Sequence, residues 1–433
     1  MKIYQYPSSA AQERLDAIIH RNLEFNPDDV ARVARIISDV KAEGDEALVR
    51  YTHQFDSEAL TVADIRVPPS RIAAAADIPD EGFLRALDRS ARQIESFHRS
   101  QVERSWIQSD RPGTLLGQLV HPVDAAGVYV PGGQGGRTPL VSSVLMGIIP
   151  AKIAGVRNVC MVTPPQADGT VNPYLLAAAQ RAGADAVYRV GGAWSIAALA
   201  HGTETIPRVD VIVGPGNLYV TLAKKLVSGT VGIDMIAGPS EILIIADETA
   251  TPAFVAADLL SQAEHDPLAS SVLLTPSRMQ ADAVADAVKS QLGKLMRRDI
   301  ARRALDQYGA IIVVPDLDTA FALSNRIAPE HLELQIREPF ETVDRIRNAG
   351  AIFLGPHTPE PVGDYMAGPN HVLPTAGTAR FSSALSVSHF TKKTSLIRYA
   401  ESAFRQEAGD IIRLAEIEGL DAHANAVKIR LTS

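Results

Sequence analysis

Short apolar runs rich in β-branched residues alternate with alanine-rich helical segments over most of this 433-residue chain. Each run is bounded by Gly, Pro or Asp, as buried strands commonly are. Regular alternation of strand and helix predicts an α/β fold with mostly parallel sheets. The predicted strands are 128–130, 158–162, 186–190, 209–213, 242–246, 271–274 and 310–314, and the clearest helices between them are 172–182 and 251–265.

Glycine-rich turns divide this alternating region into two lobes. A chain of this length is too long for one compact core. Turns at 131–136 and 237–240 separate a lobe near 127–237 from one near 239–374. The first hundred residues and the last fifty are mostly helical instead. The cleft between two such lobes is a usual place for a ligand.

The composition narrows the range of functions. A hydrophobic content of 46% with 21% charged residues fits an ordinary globular protein. The net charge of −8, without a Lys/Arg block, argues against nucleic acid and against an anionic membrane surface. The longest apolar runs are too short to span a membrane, and the N-terminus lacks the features of a signal peptide. The single cysteine, Cys160, cannot form an internal disulfide, so we expect a cytoplasmic location.

A glycine-rich segment, 127–137, follows a predicted strand and precedes a predicted helix, which is the context of a nucleotide phosphate loop. Its letters do not match the dinucleotide fingerprint. Gly133 and Gly135 are followed by Thr138 where a third glycine is expected, and no acidic residue lies about 20 positions further on. For this segment alone, a tight turn between the lobes is an equally good interpretation.

The turn 214–217 also follows a predicted strand, which strengthens the prediction of a ligand in this lobe. Asn217 could bind that ligand or cap the helix that starts at Leu218. Capping is the commoner role for an Asn in this position.

The segment 360–371 holds two acids and an imidazole among two glycines and two prolines. Because Gly and Pro interrupt both helix and strand, we predict a shaped loop. Asp364 offers an oxygen and His371 a nitrogen, and such atoms bind zinc or hold a substrate.

Two further pairs of polar residues could meet at this loop. Gln262 and His265 lie three apart at a helix end, so both could reach one ion, although such a pair is more often a cap or a surface feature. Glu330 and His331 follow a proline. They could form a proton-transfer pair, or Glu330 could open a helix instead.

The tail pattern predicts one helix that ends at Gly419 and another that begins at Asp421. His423 would then lie in the first turn of the last helix, where the helix dipole disfavours a charged imidazole. A neutral imidazole that binds a metal fits this position, and an exposed surface histidine is the alternative.

Together these segments resemble the histidinol dehydrogenases over nearly the whole chain. The resemblance implies two incomplete Rossmann-like lobes with parallel sheets, plus helical N- and C-terminal extensions. The segments that carry it are 127–133, 213–217, 232–241, 260–267, 328–333, 359–360 with 363–374, and 418–423. The predicted divisions are an N-terminal extension at 1–25, a helical part at 26–126 that completes the zinc and substrate lobe, an NAD-binding lobe at 127–238, the zinc and substrate lobe at 239–378, and a helical tail at 379–433.

The resemblance also implies a reaction, in which L-histidinol is oxidised to L-histidine through a bound aldehyde in two NAD-dependent steps. His331 would take the alcohol proton and act again in the second oxidation, and Glu330 would activate the water that attacks the aldehyde. One zinc ion would be held by Gln262, His265, Asp364 and His423. The substrate would contact Ser240, His371 and Glu418, in addition to the zinc ligands and His331.

For the cofactor, the resemblance points to Tyr129, Trp194 and Asn217. Trp194 stands where the family commonly has Gln, so it could stack on a ring or pack against the sheet. The segment 134–139 also departs from the commoner form, which has a Tyr-Pro step there. Both departures lie in the NAD-binding lobe, whereas the zinc and substrate positions keep the family's residues.

The resemblance implies a homodimer in which the 379–433 tail reaches the partner protomer. Glu418 and His423 would then complete the partner's active site, and an isolated protomer would be inactive.

Three other functions compete with this interpretation. The main alternative is a relative that oxidises another small polar alcohol, such as a sulfonated diol, although His371 and Glu418 favour histidinol. A zinc hydrolase would use Glu330 to activate metal-bound water, but the glycine-rich turns at strand ends argue against it. A binding protein without catalysis fits poorly with the complete set of bases and ligands.

Overall fold

The computed structural model describes residues 1–21, 25–75, 78, 80–132 and 138–432. Over this range the chain divides into two compact units. The first unit contains Met1–Gln101 and Asp124–Phe390, and the second contains Val102–Val123 and the chain from Thr391 onward. Residues 133–137 of the glycine-rich segment 127–137 lie outside the described residues.

The secondary structure alternates as the sequence predicts. In chain order the strands are β1 (Ile3–Gln5), β2 (Trp106–Gln108), β3 (Thr114–Pro122), β4 (Ala125–Tyr129), β5 (Asn158–Val162), β6 (Ala186–Tyr188), β7 (Val211–Val213), β8 (Gly232–Ile233), β9 (Glu241–Ala246), β10 (Ser270–Thr275), β11 (Gly309–Val313), β12 (His331–Gln335), β13 (Ala351–Leu354) and β14 (Thr391–Tyr399). The α-helices are α1 (Ser9–Ile19), α2 (Pro27–Glu43), α3 (Asp45–Phe55), α4 (Pro69–Ala74), α5 (Glu81–Arg99), α6 (Val141–Ala154), α7 (Pro173–Ala182), α8 (Gly192–His201), α9 (Leu218–Val227), α10 (Pro252–Ala263), α11 (Arg278–Leu292), α12 (Arg298–Tyr308), α13 (Leu317–Ile327), α14 (Glu360–Val362), α15 (Glu401–Ile417) and α16 (Asp421–Leu431). Within the described ranges, none of these helices combines the length and the hydropathy that a bilayer crossing requires.

The first lobe is built on a parallel sheet in the order β6-β5-β4-β7-β8. Numbered along the chain, this order is 3-2-1-4-5, which is the Rossmann order without its last strand. β4 lies at the centre, since Ala126 pairs with Val159 of β5 and with Val211 of β7. The prediction of an incomplete Rossmann-like lobe is therefore confirmed here.

The second lobe repeats the same order, with one addition. Its parallel sheet runs β1-β11-β10-β9-β12-β13, so the strands from β9 onward again follow 3-2-1-4-5. Every residue of β9 is buried because helices cover both faces of the sheet. Ile242 and Ile244 pack with α10, α11 and α12, whereas Leu243 and Ile245 pack with α1 and α13. The extra strand β1 brings the N-terminal extension into this lobe.

The predicted role of residues 26–126 needs correction only for α2 and α3, which pack on the first lobe, whereas Ser90 of α5 donates a hydrogen bond to the carbonyl of Tyr365 in the second lobe. Val33, Ile36 and Val40 form an apolar stripe on α2, at the spacing of one helix face. This stripe shares a core with Trp194 and Leu199 of α8, a helix that is apolar on nearly all sides. The sequence shows that α2 has a buried face but does not show which lobe covers it.

The predicted helical tail also contains a long strand. β14 pairs antiparallel with β3 over their full length, from Thr391 opposite Pro122 to Tyr399 opposite Thr114. Its sequence mixes lysines and threonines with a few apolar residues, and most of the strand is exposed. A half-solvated strand of this kind lacks the apolar run that made the buried strands recognisable.

Candidate active site

The central strands of the second sheet bring Ser240, Glu330 and His331 to one edge. Ser240 directly precedes β9, and His331 opens β12, where it pairs with Ile242. Because β9 and β12 are parallel neighbours, these residues lie at the amino edge of the sheet. Ligands in open parallel sheets usually bind at the carboxyl edge, so the second lobe uses the opposite edge.

The alternative in which Glu330 opens a helix is wrong. Helix α13 has already ended at Ile327, and Ala328 adopts a left-handed conformation with φ of 55°. Pro329 then leads the chain into β12. β12 was not recognisable as a buried strand because polar and apolar residues alternate in its sequence, His-Leu-Glu-Leu-Gln. All five residues are nevertheless buried.

Glu330 is held by a reciprocal pair of hydrogen bonds with Glu241. The backbone N–H of Glu241 donates to Oε2 of Glu330 at 2.8 Å, and the N–H of Glu330 donates to Oε2 of Glu241 at 3.3 Å. Arg21 donates to the other oxygen of Glu241 at 2.7 Å and neutralises it. Burial raises the pKa of Glu330 well above its ordinary value, although the Glu241 N–H opposes the shift.

His331 has one committed and one free ring nitrogen. Nδ1 lies 2.9 Å from the carbonyl oxygen of Glu241, which can only accept a hydrogen bond, so the proton resides on Nδ1. The side-chain amide of Gln262 lies 3.1 Å from the same nitrogen and can turn to present its oxygen. Burial lowers the pKa of His331 to about 4, so the ring is neutral at physiological pH. Nε2 is then free to accept a proton.

Gln262 and His265 return to the same edge at the end of α10. A helix that connects two parallel strands runs back along the sheet, so its C-terminal end lies near the amino edge. Gln262 is buried there, and its side-chain amide contacts His331. His265 is exposed in the following turn, and its charge is close enough to lower the pKa of His331.

Asp364 and His371 lie close to His331. Nδ1 of His371 is 3.5 Å from Oδ1 of Asp364. Burial alone would raise the pKa of Asp364, but the hydrogen bond and charge of His371 outweigh it and the pKa is lowered. Nε2 of His371 is buried and has no hydrogen-bond partner among the described groups. Both residues line a small cavity of about 110 Å³ together with His331.

Three residues form a candidate metal-binding trio. Ligand atoms of His331, Glu360 and Asp364 all lie within 4.8 Å of one another. Only Asp364 belongs to the zinc set that the resemblance implies. Burial raises the pKa of Glu360 to about 9, and the neighbouring Asp364 adds to the shift.

The segment 360–371 is more helical than the predicted loop. Pro361 is accepted in the first turn of α14, where its missing N–H has no cost. A π-helical turn, Gly363–Ala367, follows and carries Asp364. A Cβ at Gly363 would lie 2.7 Å from the ring of Phe353, so glycine allows this turn to approach the sheet closely.

The tail residues have the predicted local geometry. Helix α15 ends at Ile417, Gly419 adopts φ of 70°, and α16 begins at Asp421. Glu418 and His423 are both exposed, and they belong to the second unit. Their contribution to an active site stays a prediction.

The three predicted cofactor residues, Tyr129, Trp194 and Asn217, line one cavity of about 530 Å³, which we name the switch-point cavity. It lies at the carboxyl ends of β4 and β7, where the strand order of the first sheet reverses. Open α/β sheets bind nucleotides at such a point. The remaining lining residues are Arg32, Ile36, Phe55, Asp56, Pro131, Gly132, Pro164, Gly192, Ala193 and Tyr219.

Two of these residues also have structural roles. The side chain of Asn217 accepts hydrogen bonds from the N–H groups of Tyr219 and Val220, which confirms that it caps α9. Trp194 is 6% exposed, and its indole N–H donates to Oγ1 of Thr52 at 3.1 Å. Its ring stacks on Phe55 at 5.4 Å between centroids. Trp194 therefore packs mainly against α3, and its N–H is already used.

Sequence reasoning missed two residues of these sites. Glu241 immediately follows Ser240 in segment 232–241, which carries the resemblance. This position could have identified Glu241 as a site residue. Asp56 follows the last residue of α3 and lines the switch-point cavity. No local pattern marks Asp56, because helix packing brings it to the cavity from a distant part of the chain.

Comparison with known proteins places the chain in a family. The family model described as histidinol dehydrogenase matches residues 20–431. Histidinol dehydrogenase from Desulfotalea psychrophila is 54% identical over 98% of each chain, and that from Oleidesulfovibrio alaskensis is 55% identical over 94% of each. The crystal structure of histidinol dehydrogenase from Elizabethkingia anophelis is 40% identical and has a TM-score of 0.93, over 100% of this chain and 98% of that one. The chain therefore belongs to the histidinol dehydrogenase family and is an oxidoreductase.

Proposed function

We propose that this enzyme oxidises L-histidinol to L-histidine through bound L-histidinaldehyde, with two molecules of NAD⁺ and one zinc ion per protomer. The observation that carries the proposal is the buried pair at the amino edge of the second sheet. There a neutral His331 keeps Nε2 free, and Glu330 is fixed beside it. We also propose a cytoplasmic location.

His331 is the base in both oxidations. A hydride leaves an alcohol carbon more easily when the hydroxyl proton is removed, and Nε2 of His331 can accept that proton. Addition of water to the aldehyde produces a second alcohol carbon, so the same base serves again. Glu330 takes a proton from that water. Its raised pKa makes its carboxylate a stronger base than an exposed Glu would be.

The donor set of the second lobe fits zinc. Amide oxygen, imidazole nitrogen and carboxylate oxygen are suitable ligand types, and Gln262, His265 and Asp364 supply them. The unpartnered Nε2 of His371 gives the same wall a further polar atom for the substrate. His423 would add the last ligand from the tail of a partner protomer. When bound, zinc would supply an electrostatic anchor for the amino and imidazole nitrogens of the substrate.

The switch-point cavity fits NAD⁺, which accepts the hydride. Gly214 has φ of 116°, and a Cβ there would collide with the backbone oxygen of Tyr129. Glycine therefore lets the turn after β7 pack closely on the end of β4, at the edge of the sheet where nucleotides usually bind. A buried carboxylate oxygen of Asp56 without a partner also indicates a site that a polar ligand completes.

The test is the yield of NADH from a limiting amount of L-histidinol, before and after metal removal. We expect about two NADH per histidinol, as a two-step oxidation requires. Chelation should abolish the yield, and added zinc should restore it.

Absence of NADH from histidinol in protein that contains zinc would overturn the proposed substrate. A sulfonated diol would then be the next substrate to test. One NADH per histidinol would retain the substrate but overturn the second oxidation.

A further inference from the structure

Arg21 brings a buried positive charge to the segment that carries Ser240. Helix α1 ends at Ile19, and Arg21 follows two residues later with 7% of its surface exposed. Its Nη2 atom donates to Oε1 of Glu241 at 2.7 Å and to the carbonyl oxygen of Pro239 at 3.2 Å. Because these two acceptors belong to the residues on either side of Ser240, one guanidinium group holds the chain on both sides of this proposed substrate contact.

Glu241 connects Arg21 to both proposed bases. Its backbone N–H donates to the carboxylate of Glu330 at 2.8 Å, and its carbonyl oxygen lies 2.9 Å from Nδ1 of His331. Its own carboxylate accepts the N–H of Glu330 at 3.3 Å through Oε2 and binds Arg21 through Oε1. A displacement of Glu241 would therefore move both bases.

Glu241 depends on Arg21 for charge compensation. Burial raises the pKa of its carboxyl group, and the charge of Arg21 is the largest influence that opposes this rise. In the part of the chain that the structure describes, Arg21 forms the single ion pair of Glu241. The N–H of Ala376 donates to the same carboxylate oxygen at 3.1 Å but brings no charge. A buried carboxylate that loses its cation is strongly unfavourable, so Glu241 would then move or gain a proton.

This ion pair joins residues that lie 220 positions apart in the chain. Arg21 belongs to the N-terminal extension, to which the sequence assigns no part in the site. We propose that Arg21 is a positioning residue for the oxidation: it fixes Glu241, and through Glu241 it holds both bases in the geometry that proton transfer requires. The inference rests on the proposed function, which makes Glu330 and His331 the bases.

The test compares three variants of the full-length protein. Arg21→Gln removes the charge, and Arg21→Lys keeps the charge but loses the planar group that reaches two acceptors. Arg14→Gln is the matched control, because Arg14 on α1 also forms two hydrogen bonds with the second lobe, to the carbonyl oxygens of Asp306 at 3.3 Å and Gly309 at 2.7 Å. The measured quantities are kcat and KM from NADH formation on L-histidinol, zinc affinity from chelator competition, and the midpoint of thermal unfolding.

Arg21→Gln should lower kcat on the order of 10²-fold, because small displacements of reacting groups have effects of this size. KM for L-histidinol should change less than kcat does. Zinc affinity should stay at the wild-type value, because the hydrogen bonds of Arg21 go to Pro239 and Glu241 and not to the proposed zinc ligands. Arg21→Lys should keep the ion pair but lose one charged hydrogen bond, so its kcat should be about tenfold below that of the wild type. Arg14→Gln should lower the unfolding midpoint and keep the wild-type kcat.

Three results would overturn the inference while the proposed function stands. The first is a wild-type kcat in Arg21→Gln. The second is an equal loss of kcat in Arg21→Gln and Arg14→Gln, which would reflect a general loss of stability. If Arg21→Gln does not fold, Arg21→Lys decides: the expected loss of kcat supports the inference, and a wild-type kcat is the third result that overturns it.

Failure of the proposed function gives a different result. If the wild-type protein forms no NADH from L-histidinol, the proposed reaction is wrong, and the role of Arg21 in that reaction fails with it.

Discussion

His331 and Asp56 are both largely buried, and each keeps one polar atom free. Nδ1 of His331 is committed to the carbonyl of Glu241, which leaves Nε2 available. Oδ2 of Asp56 has no partner among the described groups. Buried polar atoms are nearly always paired in a stable fold, so the unpartnered Oδ2 of Asp56 marks a position where a ligand is expected. The unprotonated Nε2 of His331 lies 3.9 Å from Oε1 of Glu360 and can receive a proton.

The roles of Glu330 and His331 can be separated by substitution. Glu330→Gln keeps an oxygen that can accept the hydrogen bond from the Glu241 N–H, so the loop should stay in place. The variant removes the carboxylate that takes a proton from water before the second oxidation. NADH per histidinol should fall from two towards one, and the aldehyde should accumulate. His331→Asn should slow both steps, by a factor on the order of 10² to 10⁴. The measurement is single-turnover NADH formation from histidinol and from histidinaldehyde.

A matched control is Glu333→Gln, which changes another buried carboxyl on β12. It should preserve the yield of two NADH. Equal loss of both steps in Glu330→Gln would contradict the assigned roles.

Asp56 should make folding pH-dependent. Its pKa rises from an ordinary 3.8 to about 6, so the folded state disfavours the ionised form. The free-energy cost of ionising Asp56 in the folded protein is absent below pH 3.8 and complete above about pH 6. Stability should therefore fall as pH rises from 4 to 6, by about 3 kcal/mol. Without cofactor, Asp56→Asn should unfold at a higher temperature than the wild type at pH 7.5, by roughly 3 °C.

The difference in unfolding temperature between Asp56→Asn and the wild type should narrow towards pH 4. Thermal unfolding at one scan rate and several pH values measures it, with Glu58→Gln as control. A lower midpoint for Asp56→Asn at every pH would show that the carboxylate stabilises the apo fold.

Among the secondary-structure elements, β9 and β12 explain why the two lobes differ. Both sheets have the strand order 3-2-1-4-5, but the second lobe places its polar site at the amino ends of its central strands. At the carboxyl end of β9, Asp247 closes the corresponding position. Its carboxylate accepts hydrogen bonds from the N–H groups of Thr249 and Arg337. These two N–H groups are therefore already hydrogen-bonded to Asp247.

The π-helical turn that carries Asp364 depends on a close approach to the sheet. In Gly363→Ala, the new Cβ would lie 2.7 Å from the ring of Phe353, so the turn must shift. Zinc affinity should fall by about tenfold or more, because supporting contacts orient metal ligands. NAD⁺ affinity should not change. Chelator competition measures the zinc affinity, and calorimetry measures the NAD⁺ affinity.

Gly409→Ala is the matched control, since a Cβ at Gly409 in α15 would meet no heavy atom within 4 Å. It should leave zinc affinity unchanged. Unchanged zinc affinity in Gly363→Ala would contradict the role given to this turn.

Strands that are buried on both faces were predictable, whereas partly polar strands were not. β5, β9 and β10 are continuous apolar runs, so their positions followed from the sequence. β12 was missed because His331 and Glu333 interrupt it, and β14 because its partner strand lies far away in the chain. Likewise Gln262, Asp364 and His371 were predicted from motifs, but the contacts of Glu241 and Asp56 depend on tertiary packing.

For the whole molecule, the second unit has the features of a subunit interface. Large apolar side chains are exposed on β2, β14 and α15, and they include Trp106, Ile397 and Leu414. Exposed apolar groups of this size commonly mark a protein contact. The same unit carries Glu418 and His423, which the resemblance assigns to the active site of a partner protomer.

Mixing two inactive variants tests this arrangement. His423→Ala removes a proposed ligand in the tail, and His331→Ala removes the base in the first unit. If tails are exchanged in a homodimer, random mixing should restore about one quarter of wild-type activity, because half of the dimers contain one intact site. The measurement is NADH formation after verified subunit exchange. Persistent inactivity would falsify the shared site.

The separation of the two cavities has a kinetic consequence for a reaction that consumes two cofactor molecules. The switch-point cavity belongs to the first lobe and α3, whereas Gln262, His331 and Asp364 belong to the second lobe. Under the proposed function, spent cofactor would leave and fresh cofactor would enter while the other lobe retains the aldehyde. The dwell time of the proposed intermediate and the rate of cofactor exchange would then depend on different walls of the protein, so that mutations could alter one without the other.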